Sequence, residues 1–381
     1  MKKRKMNSTY CNIIKKGLFV SHRGVAFCCV NPDKQAMKPS EFWYGKDRAK
    51  ALDAMSNADP VKGCDQCYAD EKNKNTSVRL SYDIYDGIPS KDLPTMVDLD
   101  FSNFCNLKCI MCNPKRSSEW AKEKGWPNNG VNSISLDLID DLVSISDEIQ
   151  QITIQGGEAT VTKEYEYYFE CLDQKNILGN IDLQVITNAT NVNMKFYRLL
   201  ERFKSVRLSV SVDAFGKAND YIRWPSKFER IEKNLIKMRE LRNSVKVEIY
   251  NSLNMLSMFD YYDFLTWCKK IETLYSAEGK YFGVIPLKVV NPIQWSPLQA
   301  PENLKSKFIK DVRRFLQEND LTHNSRFKTE MTLLLNTIQK TKSIPRAINL
   351  LQSSIEKLDS KRKVKITEFV PDFYQYIQKS Q

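Results

Sequence analysis

Between residues 94 and 295, short apolar runs alternate with longer segments in which apolar residues recur at helical spacing. The short runs are typical of buried strands, and the periodic segments are typical of amphipathic helices. Strands are predicted at Met96–Phe101, Gln151–Gln155, Ile181–Thr187, Val206–Val212, Val245–Tyr250 and Phe282–Val290. Helices are predicted between them, for example at Lys163–Gln174, Met194–Arg202, Phe228–Arg242 and Tyr261–Tyr275. This alternation predicts an α/β fold with a parallel sheet, in the form of a partial (β/α)6 TIM-like barrel with its chemistry at the C-terminal strand ends.

The segments on either side of this region have different patterns. Residues 1–90 are rich in Cys, Lys, Asp and Asn, with short strands expected at Gly17–Ser21 and Gly24–Val30. Such a segment buries little apolar surface, so a bound metal would help it to fold. Residues 302–381 are expected to be helical and to serve in packing, with helices at Asn303–Glu318, Lys328–Lys340 and Arg346–Lys357.

The sequence therefore predicts three parts. A small Cys-rich N-terminal module occupies residues 1–90, the core barrel occupies residues 94–295, and a helical C-terminal extension occupies residues 302–381. No apolar run approaches the roughly 18 residues of a membrane helix. The basic N-terminus is not followed by an apolar stretch, so we expect no signal peptide and a cytoplasmic location.

Charge and histidine content narrow the classes of function. The chain has 58 Lys and Arg against 46 Asp and Glu, a net charge of +12. A basic surface attracts nucleic acid, an anionic cofactor or an acidic redox protein, although general solubility explains the charge equally well. The two histidines, His22 and His323, argue against a Ser-His-Asp triad or a multi-histidine metal site.

Cysteines carry the sharpest signal in the chain. Eight of the ten lie before residue 113, and clustered cysteines in a reducing cytosol bind metal more often than they form disulfides. Cys105, Cys109 and Cys112 have the spacing Cys-x3-Cys-x2-Cys directly after the first barrel strand. Three thiolates can hold three irons of a [4Fe–4S] cluster and leave the fourth iron open to a ligand. A helix face and a structural zinc site are the alternatives, but the position after a strand favours a loop that binds a cluster.

This spacing, in the loop after the first barrel strand, resembles the signature of the radical S-adenosylmethionine (SAM) enzymes. The resemblance implies that Cys105, Cys109 and Cys112 ligate a [4Fe–4S] cluster and that SAM binds its open iron. One electron from the reduced cluster would then cleave SAM to methionine and a 5′-deoxyadenosyl radical, which abstracts hydrogen from a substrate.

Polar segments at three further strand ends resemble SAM-binding motifs of the same family. Gly156, Gly157 and Glu158 resemble the GGE motif that binds the SAM amino group, with Ala159 where Pro often stands. Thr187 and Asn188 resemble the Thr-Asn segment near the SAM pocket, and Ser211, Asp213 and Arg223 resemble a Ser-x-Asp segment with a downstream Arg. The resemblance implies that Ser211 and Arg223 grip the SAM carboxylate. Taken singly, each of these residues is equally typical of a turn, a cap or the surface.

The N-terminal cysteines resemble the half-motif of the twitch and SPASM auxiliary-cluster modules. The match assigns Cys11, Cys29, Cys64 and Cys67 as ligands of a second, fully ligated [4Fe–4S] cluster. Cys28 is then a spare thiol or exchanges with Cys29, which the spacing favours. In the best-known members this module follows the barrel, whereas here it precedes it. A zinc ribbon is the alternative.

The expected function is that of a radical SAM enzyme. Its electron donor would be an acidic flavodoxin or ferredoxin, which suits a basic chain. A peptide side chain is the preferred substrate, and small metabolites also occur in the family; neither nucleic acid nor a membrane is an expected partner. The alternative from another class is a non-catalytic, zinc- or cluster-stapled basic protein that binds nucleic acid. That alternative leaves unexplained why the three motifs fall at successive strand ends.

Overall fold

The computed structural model of the chain describes residues 9–74, 77–319 and 325–378. His323 and the outer ends of the predicted N-terminal and C-terminal parts lie outside the described residues. The strands are β1 (Gly17–Ser21), β2 (Gly24–Ala26), β3 (Met96–Asp100), β4 (Gln151–Ile154), β5 (Asp182–Thr187), β6 (Ser205–Ser211), β7 (Val245–Leu253) and β8 (Phe282–Lys288). Among the described residues, no helix is long and apolar enough to cross a membrane.

The α-helices of the described chain lie before, between and after these strands. They are α1 (Asn12–Lys16), α2 (Pro39–Trp43), α3 (Lys46–Ser56), α4 (Asp65–Lys74), α5 (Val78–Ser81), α6 (Ser118–Glu123), α7 (Leu136–Ser144), α8 (Lys163–Gln174), α9 (Met194–Leu200), α10 (Gly216–Ile222), α11 (Phe228–Met238), α12 (Tyr261–Ser276), α13 (Glu302–Glu318), α14 (Ser325–Lys340), α15 (Pro345–Arg362) and α16 (Phe373–Gln378).

The eight strands form one sheet in the order β2-β1-β3-β4-β5-β6-β7-β8. The pairs β1–β3, β3–β4, β4–β5 and β7–β8 are parallel, and the β1–β2 hairpin is antiparallel. This confirms the predicted α/β class with a mostly parallel sheet, whereas the partial barrel form stays a prediction. The N-terminal hairpin joins this sheet, because β1 pairs with β3 in the register Leu18↔Val97.

Helix α8 shows how the sequence pattern determines the packing of a helix. In α8 the buried side chains are Tyr165, Tyr168, Phe169 and Leu172, which follow one another at helical spacing on one face. The ring of Tyr165 stacks on Phe101, with the two centroids 4.9 Å apart. A helix packs with such an apolar face against the sheet, and this contact buries the aromatic side chains of α8.

The chain divides into two compact units, each of which we describe by itself. The first unit comprises the residues up to 105 together with residues 125–185 and 194–206. The second unit comprises residues 106–124, 186–193 and those from 207 onward. The division falls between Cys105 and Asn106 and therefore inside the three-cysteine loop.

Boundaries differ from the prediction at two elements that matter below. The predicted strand Gly24–Val30 ends at Ala26, and the residues after it form bends and turns. Helix α15 continues past the predicted end at Lys357 to Arg362. It ends there because Lys363 adopts a left-handed conformation with φ of 54°.

Candidate cluster and cofactor site

In the first unit, the segments that follow β3 and β4 leave the sheet at the same edge. The two strands are parallel and pair in the register Leu99↔Ile154, so their carboxyl ends lie side by side. Residues 101–105 follow β3, and residues 155–158 follow β4. In parallel sheets this edge is where ligands bind.

The two glycines of the GGE segment allow this turn to pack closely against the segment that leads to Cys105. Gly156 has φ of +112°, and a Cβ at this position would overlap Oδ1 of Asp100. A Cβ on Gly157 would overlap the carbonyl oxygen of Phe104. The Gly157 N–H donates to the Ser102 carbonyl (3.0 Å), and the Glu158 N–H donates to the Phe104 carbonyl (2.7 Å). Gly156 therefore leaves room for the Asp100 carboxylate, and Gly157 allows one backbone to approach another, in addition to any approach to a ligand expected from the motif.

The carboxylate of Glu158 binds its own chain. The side chain is buried, and its Oε1 accepts hydrogen bonds from the Thr160 N–H (3.1 Å) and the Thr160 hydroxyl (2.8 Å). The Thr162 hydroxyl donates to the Glu158 carbonyl (2.9 Å). These bonds cap the turn that follows β4 and fix the orientation of the carboxylate.

Tyr165 joins the two strand ends, a role that the sequence does not reveal. The Phe101 N–H donates to the Tyr165 hydroxyl (3.0 Å), which in turn donates to the Gln155 carbonyl (3.0 Å). Phe101 and Gln155 begin the segments that lead to Cys105 and to the GGE turn. The sequence assigns Tyr165 only to the apolar face of a helix, and nothing in its spacing indicates the hydrogen bonds.

A buried charged cluster at the same edge also escaped sequence reasoning. Asp100 is fully buried, and its Oδ2 lies 2.9 Å from Nη2 of Arg23. Nδ1 of His22 lies 3.1 Å from the Asp100 carbonyl oxygen, which can only accept, so Nδ1 carries the proton. The sequence gives His22 no role, because the pairing of β1 with β3 that brings it here is not visible in the pattern.

In the second unit, the loop that carries Cys109 and Cys112 is paired with the C-terminal end of α10 and the residues that follow it. The Lys108 N–H donates to the Trp224 carbonyl (2.6 Å), and the Ile110 N–H donates to the Ile222 carbonyl (2.9 Å). Nε1 of Trp120 donates to the Cys109 carbonyl (3.0 Å). The segment is a loop and not a helix, as the position after a strand predicts.

Arg223 lies between a buried carboxylate and a predicted cluster ligand. Its Nε is 2.8 Å from Oδ2 of Asp213, and its Nη1 is 3.8 Å from Sγ of Cys109. Oδ1 of Asp213 accepts from the Ser252 N–H (2.8 Å). Burial raises the pKa of Cys109 to about 12, and the Arg223 guanidinium opposes that rise. Burial also raises the pKa of Asp213, against the effect of Arg223.

The residues after β5 are tied to the residue that follows Cys105 in sequence. Nδ2 of Asn188 donates to Oδ1 of Asn106 (2.9 Å), and Nδ2 of Asn106 donates to the Thr190 hydroxyl (2.8 Å). The Thr187 hydroxyl accepts from the Ala189 N–H (3.1 Å). The predicted residue Ser211 ends β6 and is half-buried.

The N-terminal cysteines lie in the first unit, and most of them are buried. Cys11, Cys28, Cys64 and Cys67 are buried thiols, while Cys29 is half-buried. Burial raises the pKa of Cys11 to about 11 and that of Cys64 to about 12; Cys67 adds to both shifts, and Cys11 adds to that of Cys64. Cys11 also contributes to the raised pKa of Cys28. These thiols are therefore within electrostatic reach of one another.

Thiolates are the ligands that iron–sulfur clusters use, so the donor chemistry of both cysteine sets fits such a group. Within the described residues, however, no three His, Cys, Asp or Glu side chains stand close enough together to hold a single metal ion. A four-iron cluster is larger than a single ion and needs its thiolates farther apart. The structure contributes the loop position of Cys105, Cys109 and Cys112 and the burial of Cys109 and of most N-terminal thiols.

Comparison with known proteins places the central region in a family. Residues 99–255 match the Radical SAM superfamily. Over 134 residues the chain is 28% identical to Fe-coproporphyrin III synthase of Methanosarcina barkeri (strain Fusaro / DSM 804). This aligned stretch covers 35% of this chain and 31% of that protein.

Two solved structures are more distantly similar. Native anSMEcpe with bound AdoMet has 17% identity and a TM-score of 0.40, covering 58% of this chain and 60% of that one. Streptococcus suis SuiB bound to S-adenosylmethionine has 15% identity and a TM-score of 0.39, covering 72% of this chain and 53% of that one. This chain spans less than two thirds of the length of each of these three proteins.

The matched region contains Cys105, Cys109, Cys112, the GGE segment and Arg223. It runs from inside β3 to just beyond β7, which is the part of the sheet whose strand ends carry these residues. Residues 99–255 therefore form a radical SAM domain.

Proposed function

We propose that the chain holds a [4Fe–4S] cluster through Cys105, Cys109 and Cys112, binds SAM beside it, and uses the resulting radical to take hydrogen from a substrate. The match of residues 99–255 to the radical SAM superfamily carries this proposal. When bound, the cluster would supply the one electron that breaks the C5′–S bond of SAM, giving methionine and a 5′-deoxyadenosyl radical. The basic nucleic-acid-binding alternative has no support from the comparisons.

Arg223 supports the cluster assignment through its position beside Cys109. A guanidinium 3.8 Å from the sulfur stabilises the thiolate, which is the form that binds iron. Burial of this thiol works in the opposite direction, so the Arg223 charge offsets part of its effect. The ion pair with Asp213 holds the guanidinium in this position.

The remaining predicted SAM contacts are assigned by the family resemblance. Gly156, Gly157 and Glu158 would bind the amino group, and Thr187 and Asn188 would line the pocket. Ser211 and Arg223 would bind the carboxylate. A guanidinium presents its N–H donors in a planar fork that matches the two oxygens of a carboxylate.

The N-terminal cysteines are proposed to hold a second [4Fe–4S] cluster. Cys11, Cys64 and Cys67 are the common members of the ligand set. The spacing favours Cys29 as the fourth ligand, whereas burial and proximity to Cys11 favour Cys28. Separate Cys28→Ala and Cys29→Ala variants decide between them, because only the variant that lacks a ligand should bind less iron.

The proposed partners follow from the charge and the family. An acidic flavodoxin or ferredoxin would deliver the electron to a chain with a net charge of +12. A peptide side chain is the preferred substrate class, with small metabolites as the other class found in the family.

The direct test is anaerobic reconstitution followed by measurement of iron per chain and of 5′-deoxyadenosine formed from SAM under dithionite. We expect roughly eight irons for two four-iron clusters. Changing Cys105, Cys109 and Cys112 together to Ala should remove about half of that iron and abolish 5′-deoxyadenosine. Cys171→Ala is the matched control, since Cys171 lies in helix α8 outside both cysteine sets. Equal product from the triple variant and the control would refute the proposal.

A further inference from the structure

The C-terminal end of helix α15 lies on the loop that carries Cys109, within the second unit. Nη2 of Arg362 donates to the Lys108 carbonyl (2.9 Å), and Nη1 donates to the Tyr221 carbonyl (2.7 Å). Its guanidinium also lies over the rings of Tyr221 and Trp224, at 5.2 and 5.5 Å from their centroids. The fork of one side chain therefore bridges the cysteine loop and the segment with which that loop is paired.

A second connection between the same elements runs through Glu123. Oε1 of Glu123 lies 2.6 Å from Nζ of Lys361, and Oε2 lies 3.0 Å from Nζ of Lys108. The carboxylate is half-buried, and it joins Lys361 of α15 to Lys108 of the cysteine loop. Arg362 thus contacts the loop directly, and its neighbour Lys361 is linked to the loop through Glu123.

The end of α15 is itself held firmly. Oδ1 of Asp359 accepts from the Tyr221 hydroxyl (2.7 Å), and Oδ2 accepts from the Ile366 N–H (2.9 Å). The left-handed Lys363 then directs the chain away from the helix axis. Arg362 is therefore placed by a structured helix end and not by a mobile tail.

Nη2 of Arg362 is 2.9 Å from the carbonyl of Lys108, the residue directly before Cys109, so its charge lies near that thiol and favours the thiolate. An Arg side chain keeps its positive charge at every working pH. Charge and hydrogen bonds around the ligating sulfurs set the potential of an iron–sulfur cluster, and a fixed positive charge favours the form with one more electron.

We propose that Arg362 is a positioning residue of the cluster site: it fixes the loop that carries Cys109 and Cys112, and its charge makes the bound cluster easier to reduce. Only the second half of this inference, the effect on reduction, rests on the proposed function, because Arg362 contacts the loop without a cluster. It gives the C-terminal extension a role in the chemistry, where the sequence indicates packing alone.

Three variants separate the effects of charge, hydrogen bonding and helix stability. Arg362→Gln removes the charge, whereas Arg362→Lys keeps the charge and loses the fork. Lys357→Gln is the control, since it removes the same charge from an exposed position on the same helix. Circular dichroism first establishes that each variant is folded.

The first readout is amide hydrogen exchange of residues 107–112 in the iron-free protein. Loss of the Arg362 bonds should speed exchange of the Lys108 and Ile110 amides by about tenfold, the equivalent of one or two net hydrogen bonds. Arg362→Lys should also speed it, because Lys cannot bridge both carbonyls. Lys357→Gln should leave it unchanged.

The second readout is the reduction potential of the Cys105–Cys112 cluster by EPR-monitored titration. Arg362→Gln should lower the potential, while Arg362→Lys and Lys357→Gln should stay near wild type. Wild-type exchange in both Arg362 variants would overturn the positioning role, and a potential in Arg362→Gln equal to that of Lys357→Gln would overturn the charge effect. If wild type binds no cluster, the proposed function fails, and the exchange readout alone then decides the positioning role. If Arg362→Gln does not fold, the amide exchange of Arg362→Lys decides whether Arg362 positions the loop.

Discussion

Replacing Gly157 with alanine perturbs the contact between the GGE turn and the segment that leads to Cys105. The new Cβ would overlap the Phe104 carbonyl oxygen and would lie 2.8 Å from the carbonyl carbons of Asn103 and Phe104. All three are backbone atoms, which cannot rotate away as the end of a side chain can. The two segments must therefore separate, and Cys105 is the next residue along the chain.

The size of the effect follows from what this separation breaks. The Phe104 carbonyl loses the Glu158 N–H (2.7 Å), and the Ser102 carbonyl loses or weakens its bond with the Gly157 N–H (3.0 Å). Each lost bond costs about 1 kcal/mol net. Overpacking adds about 1–3 kcal/mol. We therefore expect Gly157→Ala to lower the free energy of unfolding by about 3 kcal/mol.

Urea unfolding of the iron-free protein measures this change, and iron content after reconstitution measures its effect on the cluster. Gly179→Ala is the control, because a Cβ there meets nothing within 4 Å. That substitution should be neutral or should stabilise the protein by about 0.5 kcal/mol. Equal unfolding midpoints and equal iron content for the two variants would refute the account of the GGE turn.

Two further predictions concern the first unit. Tyr165→Phe leaves the buried Phe101 N–H without its acceptor and should lower the free energy of unfolding by about 1–3 kcal/mol. The surface variant Tyr167→Phe should change it by well under 1 kcal/mol in the same urea titration. Equal losses in the two variants would contradict the role of Tyr165 in joining the two strand ends. Asp98 is fully buried beside the Tyr82 hydroxyl, and burial raises its pKa to about 6. The folded state therefore holds this proton more tightly than the unfolded state does. As pH rises from about 4 to about 6, the free energy of unfolding of wild type should fall by up to about 3 kcal/mol, whereas that of Asp98→Asn should not show this fall. Parallel curves of unfolding free energy against pH would exclude this linkage.

The sequence predicts the elements of the radical SAM domain well, because each strand and helix has a clear local signal. The predicted strand Gln151–Gln155 corresponds to β4, and helix Lys163–Gln174 corresponds to α8 without a difference in bounds. The three-cysteine spacing and the GGE segment are local motifs as well. The family match over residues 99–255 confirms the class that they indicate.

Contacts between residues far apart in the chain could not be predicted in this way. His22 meets Asp100 only because β1 pairs with β3, and Arg362 meets Lys108 across most of the chain. Neither pairing leaves a periodic signal, because a single polar side chain at a strand or helix end looks like surface. From the sequence, glycine at position 157 is explained by close approach to a ligand. In the structure, the close approach at Gly157 is to the Phe104 backbone.

The measurement that tests the central claim most directly is the EPR spectrum of the dithionite-reduced cluster before and after SAM is added. A variant with Cys11, Cys64 and Cys67 changed to Ala removes the signal of the proposed second cluster. The account predicts that this variant keeps one [4Fe–4S]⁺ signal, bound by the three cysteines of the loop, and that SAM changes its g-values by binding the open iron. A cluster signal that SAM leaves unchanged, or the absence of any cluster in this variant, would contradict it.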